Sequence, residues 1–200
     1  MKPHTPKRSL EWIFSGVILS ALLSCSVEAP DTFEPLFSGM PQGEFIARNC
    51  VRIDGFTVQK KRKSAESELR VYTGNACNGA TAHRATLTGE TLFAGVWNHY
   101  LVLDHGTGAD SREIELIDLT EAKKHFRTAY VRTPEFSGES LSYYKPTGET
   151  VSPESCETTP EKAQTWAQKG LDVGKATKMT FRSGTAGATV EPETTCYPIQ

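Results

Sequence analysis

From Glu44 onward the chain is a series of short runs in which apolar and polar residues alternate, cut at close intervals by Gly, Asn and Asp. A period of two places alternate side chains on opposite faces, as strands require, and such short runs leave no room for long helices. Residues 44–58 (EFIARNCVRIDGFTV) predict two strands around Asp54-Gly55, and 67–73 (SELRVYT) a third. Asn75 to Gly79 is a turn, with Asn78-Gly79 suited to positive φ. Residues 81–88 are a weaker strand. Runs at 91–97, 99–104, 112–118, 124–132 and 139–145 form a meander in which Tyr100, Val102, Ile114 and Leu116 point to one half-buried side. A last strand is expected over 176–182, with 183–189 a loop and 190–200 a return to Cys196.

One segment has helical character. In 159–169 (TPEKAQTWAQK) Thr159 is placed to cap, Pro160 suits the first turn, Glu161 brings negative charge there and Gly170 ends the helix. Ala163, Trp166 and Ala167 share a face that would pack on the sheet. The expected fold is mainly β, an antiparallel meander forming a sandwich or partly open barrel, with one short helix near 160–169. The stretch 91–144 resembles a blade of a β-propeller, in a strand ending in Asp104, a glycine-rich turn and the run Arg112 to Thr120. Nothing else in the chain repeats it, and four or more such blades would barely fit.

The first 24 residues differ in kind. Lys2, Lys7 and Arg8 precede a twelve-residue apolar run, 12–23 (WIFSGVILSALL), long enough for a signal sequence and short for a bilayer span. The run ends in Leu22-Leu23-Ser24-Cys25. This tetrapeptide resembles the lipobox of bacterial lipoproteins, with Leu22, Ser24 and Cys25 at the matching positions. The resemblance implies a diacylglyceryl group on the Cys25 sulfur, cleavage before Cys25 and acylation of the new amino group. Ser26, by the sorting rules of Gram-negative lipoproteins, implies the outer membrane. The alternative is an ordinary secretory signal cut after Ala29, a site that Pro30 disfavours. Residues 25–43, rich in Pro, Gly and acids, read as a tether, leaving a single domain over 44–200.

Five cysteines are an odd number for a secreted chain. With Cys25 lipidated, Cys50, Cys77, Cys156 and Cys196 remain, an even set suited to disulfides in an oxidising compartment. Of three pairings, Cys50–Cys77 and Cys156–Cys196 keep each loop within one half of the domain. No CxxC occurs, which argues against zinc or redox chemistry at these residues.

Charge excludes one class of partner. The chain carries 22 Lys and Arg against 24 Asp and Glu; removing the three bases and one acid of residues 1–24 leaves 19 against 23, or −4. No basic face for nucleic acid is expected.

Several residue groups were candidates for chemistry. His99 and His105, with His83 or His125, have the ligand type of a zinc site. Asp104, Asp110 and Glu113 have the oxygens of a calcium site. Ser111 with His105 and a neighbouring Asp would be a small hydrolase centred on His99–Asp110, although no Gly-x-Ser-x-Gly elbow is present. Gln59-Lys60-Lys61-Arg62-Lys63 reads as a solvated hairpin loop that could touch anionic lipid. Each has a plainer structural explanation, so no catalytic residue, metal or cofactor is expected. The strongest ligand patch is Trp97, Tyr100, Tyr143 and Tyr144. The expected function is a membrane-anchored, non-enzymatic envelope module binding protein, glycan or lipid. An inhibitor of a secreted hydrolase such as lysozyme is the second expectation, since net acidity suits a basic enzyme.

Overall fold

The computed structural model describes residues 33, 35–47, 49–63, 66–88, 90–106, 111–157 and 159–200. The expected signal segment, Cys25, Ser26 and Asp110 lie outside the described residues. The chain is mainly β, in three antiparallel sheets with strands in sequence order. The first sheet holds β1 (Glu44–Ala47), β2 (Cys50–Ile53), β3 (Phe56–Lys63), β4 (Glu66–Thr73) and β5 (Thr81–Leu87). The second holds β6 (Thr91–Trp97), β7 (Tyr100–Gly106), β8 (Arg112–Asp118) and β9 (Lys123–Tyr130). The third holds β10 (Glu135–Ser137), β11 (Ser140–Thr150), β12 (Asp172–Arg182) and β13 (Ala188–Ile199), with α1 (Pro160–Gln168) between β11 and β12. Among the described residues no barrel closes, and the sandwich expectation holds.

The second sheet is the central layer. Val96, Leu101, Leu103 and Ile117 pack with Val51, Ile53, Val58, Leu69 and Val71 of the first sheet. Ala94, Trp97, Tyr100, Val102, Ile114 and Leu116 pack with Phe136, Leu141, Tyr143 and Phe181 of the third. β7 is therefore buried on both faces, from Tyr100 through Asp104. This corrects the half-buried meander: Leu101 and Leu103 are as apolar as Tyr100 and Val102, and a second sheet covers them. A bulge between Phe93 and Gly95 keeps β6 in step, sending Phe93 and Val96 to one cluster and Ala94 and Trp97 to the other.

Local signals account for several turns. Asp54 (φ 48°) and Gly55 (φ 80°) join β2 to β3 with both central residues at positive φ, as a type I′ hairpin needs. The expected single run before Asp54 is two strands, because Asn49 at φ 63° lies between β1 and β2. The basic run is no loop: Lys60 to Lys63 extend β3 and pair with β4, Lys61 opposite Glu68. β13 was unforeseen. Its sequence, ATVEPETTCYPI, has two prolines and weak alternation, and it becomes a strand by pairing along β12.

Helix α1 forms where expected, but Thr159 makes no side-chain cap. Ala163 is buried, Trp166 packs on the cluster around Val173 and Cys196, and Ala167 is exposed, so the apolar face is narrower than expected. Both disulfides form as paired above, with Cα separations of 6.1 Å for Cys50–Cys77 and 5.9 Å for Cys156–Cys196.

The tether expectation fails for residues 33 and 35–43. Phe33, Phe37 and Met40 are buried, Phe33 with the first cluster and the other two with the second. The Leu36 amide bonds the Ala94 carbonyl, and the Phe136 amide bonds the Ser38 carbonyl. Gly39, at φ +78°, permits this: a Cβ there would sit 1.6 Å from the Phe136 carbonyl oxygen. Proline and glycine in this stretch mark an ordered crossing between sheets, and composition does not distinguish that from a tether.

Candidate functional site

The central sheet carries three buried acids: Asp104, Glu115 and Asp118. A buried carboxylate is costly unless its charge and lone pairs are met. Arg112 Nε–H donates to Asp104 Oδ2 at 2.8 Å, and Tyr130 Oη–H donates to Oδ1 at 2.7 Å. Burial, and then the Asp104 carboxylate, push the Tyr130 hydroxyl far above the ordinary tyrosine range. Asp118 Oδ1 accepts the amides of Thr120 (2.8 Å) and Glu121 (3.0 Å), an Asx turn leading into β9.

Glu115 is the centre of the largest group. His105 Nε2 meets its Oε2 at 2.8 Å, Lys124 Nζ meets its Oε1 at 2.7 Å, and His105 Nδ1 meets Thr91 Oγ1 at 3.1 Å. Burial would raise the Glu115 carboxyl; the hydrogen bonds from Lys124 and His105 outweigh it and hold the carboxyl below its ordinary value. Across the layer, burial lowers His83 on β5 below the usual imidazole range, against the pull of Glu115.

These pairings separate the groups proposed from the sequence. His99 faces Asp118 at 3.5 Å, His105 faces Glu115, and His125 bonds the Thr185 carbonyl at 3.0 Å, so the histidines do not converge. Among the described residues no three His, Cys, Asp or Glu side chains come together as a metal site. Asp104 and Glu113 do not join in a calcium site, because Arg112 takes the first and Arg127 the second. Both ring nitrogens of the His105 imidazole are engaged, by Thr91 and by Glu115, where the hydrolase reading needs one of them for Ser111. Antiparallel register, which sets Leu103 opposite Glu115, determines these partners.

The aromatic patch is also corrected. Trp97, Tyr100 and Tyr143 are each no more than 2% exposed and belong to the core. Trp97 Nε1–H donates to the Gly138 carbonyl at 2.8 Å, and its ring meets those of Tyr100, Phe136 and Phe181. Only Tyr144 faces outward, with the Arg132 guanidinium 5.3 Å from its ring centre and its hydroxyl bonded to Glu193, which also pairs with Lys178 at 2.8 Å.

Beside this outward group lies a cleft of about 320 Å³ that sequence reasoning missed. Arg132, Thr159, Lys162, Trp166, Tyr197 and Pro198 line it. Neither Arg132 nor Lys162 has a carboxylate within ion-pair distance among the described residues. The cleft thus sets Lys162, and Arg132 stacked on Tyr144, beside the half-buried Trp166 ring. Its residues come from three separate stretches, and only the exposed Trp-containing helix hinted at it. No helix among the described residues is long and apolar enough to cross a membrane. No protein family, no curated protein and no solved structure matches this chain.

Proposed function

We propose that this chain is a lipid-anchored protein of the bacterial cell envelope, held through Cys25 and acting there as a non-enzymatic binding module. In a Gram-negative source, Ser26 directs it to the outer membrane. The observation that carries the reading is cysteine bookkeeping: the two disulfides engage Cys50, Cys77, Cys156 and Cys196. Cys25 is then the one cysteine outside the disulfides, and it ends the lipobox-like Leu22-Leu23-Ser24-Cys25. Two disulfides suit an oxidising compartment, which agrees with export. Several acyl chains hold a protein stably where one would not.

The binding role draws on the cleft. Arg132 and Lys162 suit an anionic group, and Trp166 suits the apolar or sugar face next to it. The paired state of Asp104 and Glu115 supports a structural role for the central charges.

Intact-mass analysis of protein from its native membrane tests the anchor. A chain starting at Cys25, carrying acyl mass and four oxidised cysteines, is expected; a Cys25→Ala version should lack the acyl mass. A mature chain without lipid would overturn the reading. For the cleft, Trp166 emission should respond to acidic oligosaccharides from the envelope in wild type and lose that response in Arg132→Ala/Lys162→Ala.

A further inference from the structure

Five large hydrophobic side chains are exposed among the described residues: Leu36 ahead of β1, Phe45 and Ile46 on edge strand β1, Leu92 on β6 and Val190 on β13. Leu36 is 43% exposed, Phe45 60%, Ile46 44% and Leu92 45%. The buried Phe33 ring meets Phe45 and Phe93 edge-on, with ring centres 6.0 Å apart in each case. The Leu36 amide bonds Ala94 of β6, the strand that carries Phe93; Leu92 precedes Phe93 there and points to the opposite face. A groove of about 390 Å³, lined by Phe33, Pro35, Gln42, Gly43 and Phe45, runs beside them. β1 is an edge strand, all four of its residues exposed.

Single exposed apolar residues are ordinary, but an exposed Phe45 beside a groove lined by Phe33 and Pro35, on an open strand edge, marks a surface that something covers. We infer that this patch docks on the bilayer that carries the protein, fixing the orientation of the domain; the inference rests on the lipid anchor at Cys25. The occupant follows from chain length. Cys25 precedes Phe33 by eight residues, which reach at most about 28 Å when fully extended. Because Phe33 already packs on the first sheet, the chain from Cys25 meets the domain beside Phe45. Apolar side chains held at the interface by a neighbouring lipid bury in the boundary between headgroups and acyl chains. The fifth exposed residue, Val190, is 71% exposed and lies in the third sheet, beyond the central layer, so it should face away.

The test uses the full mature protein, acylated at Cys25, in vesicles of phosphatidylethanolamine with one-fifth phosphatidylglycerol, with or without brominated acyl chains. Phe45→Trp, Ile46→Trp and Val190→Trp each add a reporter at an exposed site, read after subtracting wild-type emission from Trp97 and Trp166. Bromolipid should quench position 45 or 46 by about twofold or more, with a blue shift, and leave position 190 unchanged. A protein that co-floats with vesicles while positions 45 and 46 stay unquenched would overturn the docking proposal and keep the anchor; that result would assign the patch to a protein partner. Failure of wild type to co-float would overturn the anchor, and the docking proposal with it.

Discussion

The central sheet and the C-terminal end of the molecule are held together by different means. β7 and β8 lie between two apolar clusters, and their buried acids are matched by Arg112, Tyr130, His105 and Lys124. The cluster under α1 is small: Cys156, Ala163, Val173 and Cys196, with Val151 and Trp166 at its edge. The difference teaches where covalent closure is needed. The central sheet has no cysteine and depends on burial from both sides. The outer sheets each have a disulfide, Cys50–Cys77 at the first and Cys156–Cys196 at the third.

Trp97→Ala should be the most damaging change that breaks this comparison from the centre. It empties a site 2% exposed and removes the bond to Gly138, at a cost of about 3–5 kcal/mol. The urea midpoint should fall in one cooperative step for all three sheets; separate transitions would show that the layers do not stabilise one another.

Cys156→Ser/Cys196→Ser tests the other region. Opening a loop with a sequence separation of 40 should cost about 3–4 kcal/mol by loop entropy. Hydrogen exchange should speed up in α1 and the end of β13 while β7 and β8 keep their protection. Equal loss in both regions would refute the division drawn here.

Acid should weaken the protein in two stages. His83 has a folded pKa below its unfolded value of about 6.5, so its charging favours unfolding as pH drops through that value. Glu115 and Asp118 are held below their ordinary values, so their contribution is complete above about pH 4.5 and is lost as pH falls through their folded values. Thermal melts across pH should show both stages. His83→Gln should remove the upper one, and Glu115→Gln should reduce the lower one. The smallest effect is expected at the surface: Lys178→Met breaks the pair with Glu193 and should leave the urea midpoint unchanged within error.

Much of the scaffold was legible. Alternation located β4, β5, β7, β8 and β12, and Asp54-Gly55 located its hairpin, because these are local properties of the backbone. β13 was hidden, since pairing with β12 overrides its prolines. The candidate sites were poorly legible. His105 seemed to belong with Ser111 because the two are close in sequence, whereas strand register gives it Glu115 and Thr91. Of the cleft only the helix was legible, because Arg132, Lys162 and Tyr197 meet only after folding.

By itself, the sequence determined a β protein with one helix, its main turns, an even set of four cysteines after Cys25 and a lipobox-like start. The tertiary structure decided which faces are covered. Alternation assigns Tyr100 and Leu101 to opposite sides of β7, but it does not say that a sheet lies on each. For the same reason Trp97, Tyr100 and Tyr143 became core, while Phe45 and Ile46 stayed exposed. Burial depends on what packs against a side chain, and those partners come from distant parts of the chain.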